Sequence, residues 1–274
     1  MDLNTIETVV KPRDKADLPG WQPGDAWLAG GTWLFSEPQP SLRRLIDLTG
    51  LGWETHRIDA AGLTLAATCT IAALERLDLP PAWTAAPLVG QCCRALLGSF
   101  KVWNLATVGG NLCMALPAGP MIALTAALDG ICTLWTPQGG ERQLPVEAFV
   151  LGPQSTALAP GEILRSIALP VAALRRRTAF RRISLSPNGR SGALLIGTLD
   201  AAGAFALTVT ASTRRPVKIA FATVPDADAL TAALAAAIPA SLWYDDVHGA
   251  PDWRERVTHH LAHDIRAELS GEIA

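Results

Sequence analysis

Two short stretches of the sequence place a glycine pair beside hydrogen-bonding side chains: Leu28-Ala-Gly-Gly-Thr-Trp33 and Ala106-Thr-Val-Gly-Gly-Asn111. Glycine has no Cβ, so its backbone amide can approach a ligand closely and can adopt positive φ. Successive free amides form a concave site for an anionic oxygen, and Thr32, Thr107 and Asn111 add side-chain hydrogen bonds. The pattern indicates a phosphate-bearing ligand held from two sides.

Neither glycine pair has the spacing of a familiar nucleotide motif. The sequence has neither G-x-G-x-x-G nor G-x-x-x-x-G-K-[ST] at these positions, which excludes a Rossmann or P-loop assignment for them. Glycine pairs also form ordinary tight turns at strand ends. From composition alone, that structural interpretation of Gly30-Gly31 and Gly109-Gly110 stays open.

The hydrophobic pattern predicts the elements that must position both motifs. A buried strand over residues 26–29 leads into the first glycine pair, and apolar alternation continues over 42–48. Helices over 87–100 and 121–128 flank the second pair, which we expect to lie in a loop. Between the motifs, the pattern predicts a hairpin over 58–68 that turns at Gly62, and a short helix over 71–79.

Strands dominate the sequence from residue 163 onward. They are predicted over 163–169, 178–185, 193–199, 204–211 and 217–223. Short turns join the last three, which predicts a three-stranded antiparallel sheet. Helices are predicted over 226–238 and 252–269, the latter with one apolar stripe. With a domain boundary near Pro170, we expect an α+β protein.

Composition limits the classes of partner. The chain has 274 residues, a net charge of −2 and a pI near 6.2, so nothing favours a nucleic acid as the main partner. Hydrophobic residues make up 49% and the mean hydropathy is +0.24. Alanine-rich runs such as Ala235–Ala237 account for part of this value. Apolar surface that is covered by partner subunits would explain the rest of the high mean hydropathy.

The five cysteines argue against a disulfide framework or a cluster site within the chain. Their number is odd and no C-x-x-C pair occurs, which favours reduced thiols and a cytoplasmic setting. The first residues carry acids where a signal peptide would carry bases, and no apolar run reaches the ~18 residues of a membrane span. We therefore expect a cytoplasmic protein, periplasmic only if a partner carries the export signal.

The two glycine motifs, with Pro117 after the second, resemble the flavoprotein component of the molybdenum hydroxylases, the medium subunit of carbon monoxide dehydrogenase and xanthine dehydrogenase relatives. Three later stretches are also similar to this family: Leu158–Ile163 followed by Pro170, Ala179–Arg182, and Asp246–Gly249 followed by Trp253-Arg254. The resemblance implies an FAD-binding domain over residues 1–170, of the vanillyl-alcohol-oxidase (PCMH) type with two subdomains split near residue 50. It also implies a small C-terminal domain over 171–274, like that of the carbon monoxide dehydrogenase flavoprotein.

The resemblance also implies the cofactor-binding residues. Those expected to hold the pyrophosphate and ribityl chain of FAD are Ala29, Gly30, Gly31, Thr32, Trp33, Thr107, Gly109, Gly110 and Asn111. Leu158 is expected near the isoalloxazine ring. Arg181, in place of a family lysine, is expected at the pyrimidine edge, where a fixed cation stabilises the negative charge of reduced flavin. Without the resemblance, Arg181 is a solvated arginine of the basic run that begins at Arg175.

One position departs from the family pattern. The second motif ends in Leu116-Pro-Ala-Gly-Pro120, where the family has an aspartate in place of Pro120. Losing one hydrogen bond to a charged group costs about 1.5–3 kcal/mol, so we expect FAD to bind about one to two decades more weakly. A repacked or partly degenerate flavin site stays open as an alternative.

The function implied is that of an FAD-binding electron-transfer subunit. Electrons would come from [2Fe–2S] clusters of an iron–sulfur subunit, supplied in turn by a molybdenum-cofactor subunit, and would leave to a terminal acceptor. The chain itself is predicted to have no catalytic residue, no metal site and no membrane span. A self-standing flavin oxidoreductase and a flavin-free scaffold subunit are the two alternatives; the scaffold is supported by Pro120.

Overall fold

The computed structural model describes residues 3–272, which contain fourteen strands and nine α-helices. The first part holds β1 (Thr8–Val10), β2 (Asp25–Leu28) and β3 (Arg44–Asp47), followed by a 3₁₀ turn over Leu48–Leu51. These strands form a parallel sheet in the order β1-β3-β2, with Leu28 beside Asp47. The first glycine motif therefore directly follows the C-terminal end of β2, where this strand leaves the sheet.

The middle part packs helices on an antiparallel sheet. Its elements, in chain order, are β4 (His56–Asp59), β5 (Gly62–Ala66), α1 (Ile71–Glu75), α2 (Ala86–Ala95), α3 (Phe100–Leu105), α4 (Val108–Met114), α5 (Pro120–Ala127), β6 (Ile131–Trp135), β7 (Glu141–Pro145), α6 (Val146–Phe149), β8 (Val150–Gly152), β9 (Ser155–Thr156) and β10 (Ile163–Pro170). Five of the strands form one sheet in the order β4-β5-β10-β6-β7. β8 and β9 form a separate short hairpin.

The last part is a sheet covered by two helices. Its elements are α7 (Val171–Leu174), β11 (Arg177–Ile183), β12 (Ala193–Leu199), β13 (Phe205–Thr210), β14 (Val217–Phe221), α8 (Ala227–Ala237) and α9 (Pro251–Ser270). The four strands pair antiparallel in chain order. The sheet therefore has four strands rather than the three expected. The long segment 184–192 joins β11 to β12, and no tight turn marked that pairing in the sequence.

Both faces of the last sheet are buried. Leu194 and Ile196 on β12 belong to the core shared with the middle part, whereas Ala193 and Leu195 face α8 and α9. This alternation follows from the two-residue period of a strand. α5 packs between the two regions, and all eight of its residues are buried, so it lacks a polar face.

Two helix predictions near the second motif need correction. The helix expected over 87–100 is two helices, because α2 ends at Ala95 and the chain turns through Gly98 before α3 begins at Phe100. The second glycine pair is not in a loop: Gly109 and Gly110 lie in the first turn of α4, with Thr107 as the N-cap. Glycine has low helix propensity, which is why the sequence favoured a loop there.

Candidate functional site

A cleft of about 440 Å³ brings the two glycine motifs together. Ten of the eleven residues predicted to bind the cofactor line it: Ala29, Gly30, Gly31, Thr32, Trp33, Thr107, Gly109, Gly110, Asn111 and Leu158. They come from the segment after β2, from the start of α4 and from the loop before β10. The tertiary structure thus assembles one site from segments that are far apart in the sequence.

The first motif supplies free backbone amides. Gly30 lies so close to α3 that an added Cβ would be 1.8 Å from the carbonyl oxygen of Leu105, and Gly31 has a φ of +66°. The amide of Phe35 donates to the carbonyl oxygen of Gly31 at 2.8 Å, which closes the turn. Within residues 3–272, the N–H groups of Gly31, Thr32 and Trp33 have no acceptor. Such a run of amides is a site for an anionic oxygen.

The second motif uses its amides differently. The Gly109 amide donates to the carbonyl oxygen of Ala67 at 2.9 Å, and the Gly110 amide donates to the Thr107 hydroxyl at 3.0 Å. A Cβ on Gly109 would lie 2.7 Å from backbone atoms of Ala67, so this glycine is required for packing. A Cβ on Gly110 would meet only the Thr107 hydroxyl, at 2.9 Å. Gly110 therefore offers a bare surface to the cleft rather than a free N–H.

Asn111 links the cleft to α5. Its Oδ1 accepts a hydrogen bond from the Met121 amide at 3.0 Å, and this fixes the carboxamide so that Nδ2 is the group left to donate. Pro120 occupies the first position of α5, where a missing N–H has no cost. Pro120, where the resemblance led us to expect an aspartate, thus begins a helix whose Met121 amide is capped by Asn111.

Leu158 is held at the cleft by an ion pair behind it. Arg142 donates to Glu162 at 2.7 Å and to the carbonyl oxygen of Ala157 at 2.6 Å, while Glu162 accepts from the Ala159 amide at 2.8 Å. The hydrogen bond from Arg142 lowers the pKa of the buried Glu162 carboxyl. Both neighbours of Leu158 are therefore fixed. The sequence signal for the Arg142–Glu162 ion pair was an acidic residue directly before an apolar strand, and no prediction from the sequence used it.

Arg181 is not part of the cleft lining. It lies on β11 and pairs with Glu268 of α9 at 2.6 Å, so its guanidinium is engaged on the helix side of the last sheet. The arginine that lines the cleft is Arg190, in the segment between β11 and β12. No sequence signal singled out Arg190, because it lies in an exposed polar stretch with no periodicity.

The cleft is otherwise free of charge. Arg190 is the one charged side chain on its lining among residues 3–272, and within that range it makes no ion pair. Cys113 also lines the cleft, and burial raises the pKa of its thiol to about 12, so it stays protonated at neutral pH. Within the same residues, no group of three His, Cys, Asp or Glu side chains is placed to hold a metal ion.

An apolar cleft with free amides at one side and a single arginine suits a cofactor that combines phosphate with a flat aromatic ring. Residues 10–172 match the family model described as "FAD binding domain in molybdopterin dehydrogenase", and the chain belongs to this family. The family resemblance and the FAD cofactor predicted from the motifs are thereby confirmed.

Three comparisons illustrate the relationship. The chain is 36% identical over 98 residues to caffeine dehydrogenase subunit beta of Pseudomonas sp. (strain CBB1), and 33% identical over 84 residues to xanthine dehydrogenase of Oryza sativa subsp. japonica. The first match covers 36% of this chain and 33% of the relative; the second covers 28% and 6%. A chain of reconstituted CO dehydrogenase from Oligotropha carboxidovorans is the third, and it is a solved structure.

For that solved structure the TM-score is 0.83 at 21% identity, over 97% of this chain and 99% of the other. At this identity the likeness concerns the fold, and it confirms the expected α+β class over nearly the whole chain. In the part of the chain that the structure describes, none of the helices has both the length and the apolarity needed to cross a bilayer.

The residues present fit FAD. The free amides of Gly31 to Trp33 suit the diphosphate, and the open face of Gly110 leaves room for it. Thr107 and Asn111 can donate to ribityl or phosphate oxygens. Met114, Leu116 and Leu158 provide apolar walls for an aromatic ring. When bound, the flavin supplies transfer of one or two electrons.

Proposed function

We propose that this chain is the FAD-binding electron-transfer subunit of a molybdenum-containing hydroxylase or dehydrogenase complex. In this proposal it accepts electrons from [2Fe–2S] clusters of one partner subunit, which a second partner reduces at a molybdenum cofactor. The electrons then leave the flavin to a terminal acceptor. The observation that carries the proposal is the cleft in which both glycine motifs meet, in a chain of the FAD-binding family.

We propose the residue roles as follows. Ala29 to Trp33, together with Thr107, Gly109, Gly110 and Asn111, bind the pyrophosphate and ribityl chain, and Leu158 packs near the isoalloxazine ring. Their position on one cleft supports this assignment. Arg181 is left out because it faces Glu268. The FAD-binding domain is proposed to span residues 1–170, split near residue 50, with a C-terminal domain over 171–274.

Apolar surface beside the cleft supports a partner subunit. Helix α3 has no buried residue, and its Phe100 and Leu105 side chains are 73% and 56% exposed. Leu97, which lines the cleft, is 39% exposed and precedes this helix. Exposed apolar side chains next to a redox site suit a covering protein. All five thiols are unpaired, which supports a reducing compartment, and we propose the cytoplasm.

The fixed Asn111 amide bears on the scaffold alternative. Pro120 removes an acceptor, but Asn111 Nδ2 and the Thr107 hydroxyl, which both line the cleft, remain as donors. We therefore favour a subunit that binds FAD over one that has lost it.

The test is purification of the native complex, followed by its absorbance spectrum and metal analysis. We expect flavin and iron–sulfur absorbance, with iron and molybdenum in subunits other than this chain. The chain expressed alone should bind FAD in a one-to-one ratio. A native monomer that contains neither iron nor molybdenum and is reduced directly by its substrate would favour the self-standing oxidoreductase. A chain that takes up no FAD, alone or in the complex, would favour the scaffold.

A further inference from the structure

We infer that Arg190 is the residue that tunes the flavin, by placing the single positive charge of the cleft beside the redox-active ring and stabilising its reduced form. This inference rests on the proposed function, since it requires FAD in the cleft. The role that the sequence assigned to Arg181 thereby passes to a residue of another segment.

Arg190 borders a side chamber that the first glycine motif does not reach. This chamber of about 110 Å³ adjoins the cleft, and both are lined by Leu97, Asn111, Leu116 and Arg190. None of residues 27–36 lines the chamber. If the free amides of the first motif hold the diphosphate, Arg190 therefore faces one of the two ends of the cofactor rather than its centre.

The walls beside Arg190 favour the flavin end. Leu116, which borders both cavities, follows α4 directly, and the carbonyl oxygen of the neighbouring Ala115 accepts from the Gln154 amide at 3.3 Å. That contact, together with the packing of β9 against α4, places the short hairpin that precedes Leu158 beside the end of α4. An apolar pocket with one cation suits a ring that gains negative charge on reduction. The adenosine end is neutral and gains nothing from a cation.

The segment around Arg190 is fixed by two other arginines. Arg182 donates from Nε to the Ser191 hydroxyl at 2.7 Å and from Nη2 to the carbonyl oxygen of Gly189, so it holds both neighbours of Arg190. Arg254, only 1% exposed, donates to the carbonyl oxygen of Gly192 at 2.9 Å. A positioned charge stabilises a developing charge without reorganisation cost. Arg182 and Arg254 therefore fix the backbone on both sides of Arg190.

The charges around Arg190 leave it free to act on the cofactor. No acidic side chain lies within ion-pair distance of it among residues 3–272, and no acid lines the cleft or the side chamber. Solvent reaches its side chain, so screening limits the effect. We expect Arg190 to strengthen binding of reduced over oxidised flavin by about tenfold, equal to about 30 mV for two electrons.

The experiment compares the wild-type chain with Arg190→Gln, Arg190→Lys and Arg181→Gln. Titration with oxidised FAD gives the dissociation constant, and equilibration with reference dyes gives the two-electron potential. We expect Arg190→Gln to lower the potential by about 30 mV with little change in the affinity for oxidised FAD. Arg190→Lys should retain most of the potential, and Arg181→Gln should leave it at the wild-type value.

Three outcomes would overturn the inference. An unchanged two-electron potential in Arg190→Gln would show that Arg190 does not act on the flavin ring. A tenfold loss of oxidised FAD affinity without a potential shift would place it at the diphosphate instead. A shift in Arg181→Gln alone would restore the assignment made from the sequence. Failure of the proposed function is a separate result, because it is measured by FAD uptake of the wild-type chain and by the subunit and metal content of the native complex.

Discussion

Replacing Gly110 by Val tests whether the cleft is the cofactor site. The new Cβ would meet only the Thr107 hydroxyl, at 2.9 Å, and the two methyl groups would project into the cleft. Val has a higher helix propensity than Gly, and this gain offsets the cost of the close contact with the Thr107 N-cap. We therefore expect the free energy of unfolding to change by less than ~1 kcal/mol.

The loss should appear in binding instead. Forcing three extra carbon atoms into an occupied site costs about 1–3 kcal/mol, so the affinity for FAD should fall by about one to two decades. Gly110→Ala, which adds one carbon, should lie between this variant and the wild type. Quenching of FAD fluorescence during titration measures the dissociation constant, and thermal unfolding without FAD measures stability.

Gly140 provides a matched control. Its amide donates to the Thr136 hydroxyl at 3.1 Å, as the Gly110 amide does to Thr107, and its Cβ would likewise meet only that hydroxyl, at 3.3 Å. It does not line the cleft, so Gly140→Val should bind FAD as the wild type does. A folded Gly110→Val protein with the wild-type dissociation constant for FAD would show that the cofactor does not lie against Gly110.

Three further outcomes follow from contacts around the cleft. Thr107→Val should lower stability by about 1 kcal/mol in thermal unfolding, because the Gly110 amide loses its cap, whereas Thr107→Ser should not. The hydrogen bond from Arg142 lowers the pKa of Glu162 below its ordinary value of 4.5. The ion pair therefore stabilises the folded protein fully above pH 4.5, and this stabilisation is lost as the pH falls through the pKa of Glu162 in the folded state. The difference in melting temperature between wild type and Glu162→Gln should thus shrink below about pH 4.5, and a constant difference would contradict this. Cys113, with a pKa of about 12, should resist iodoacetamide at pH 8 by peptide mass spectrometry; prompt labelling would show an ionised thiol.

An ion-pair cluster at Asp129 anchors the C-terminal sheet to the middle part of the chain. Lys218 on β14 pairs with Asp129, which also accepts from Arg176 at 2.7 Å. Burial raises the pKa of Asp129, but its hydrogen bonds with Lys218 and Arg176 outweigh this and hold it below the ordinary value. The ion pair joins the last sheet to the turn after α5, so the segment that carries Arg190 has a fixed relation to the cleft.

Much of the local structure was determined by the sequence itself. Period-two hydrophobicity located β4 and β5 and their turn at Gly62, and the apolar stripe located α9. Side-chain direction in strands and helices follows from backbone geometry, so these patterns survive in any compact fold. The order of the two glycine motifs also carried the resemblance to the family, and the resemblance implied the FAD cofactor; the family match confirms both.

The roles of the individual glycines were decided by the tertiary structure. All four looked alike in the sequence and all four line the cleft, yet Gly30 and Gly109 are required by the backbones of Leu105 and Ala67. Gly31 is required by its positive φ, whereas a Cβ on Gly110 would meet only one hydroxyl. The neighbours of a residue depend on how distant segments pack, and the intrinsic helix or strand propensity of the residue does not determine them. The helix at the second motif was misjudged for the same reason.

The charge at the cleft was likewise decided by packing. Arg181 and Arg190 are both arginines of a basic, polar region, and the sequence favoured Arg181 by analogy of position. The pairing of β11 with β12 and the cover by α9 direct Arg181 to Glu268, while the hydrogen bonds of Arg182 and Arg254 hold the segment of Arg190 against the cleft. Electrostatic roles depend on distances between segments, and only the folded chain sets those distances.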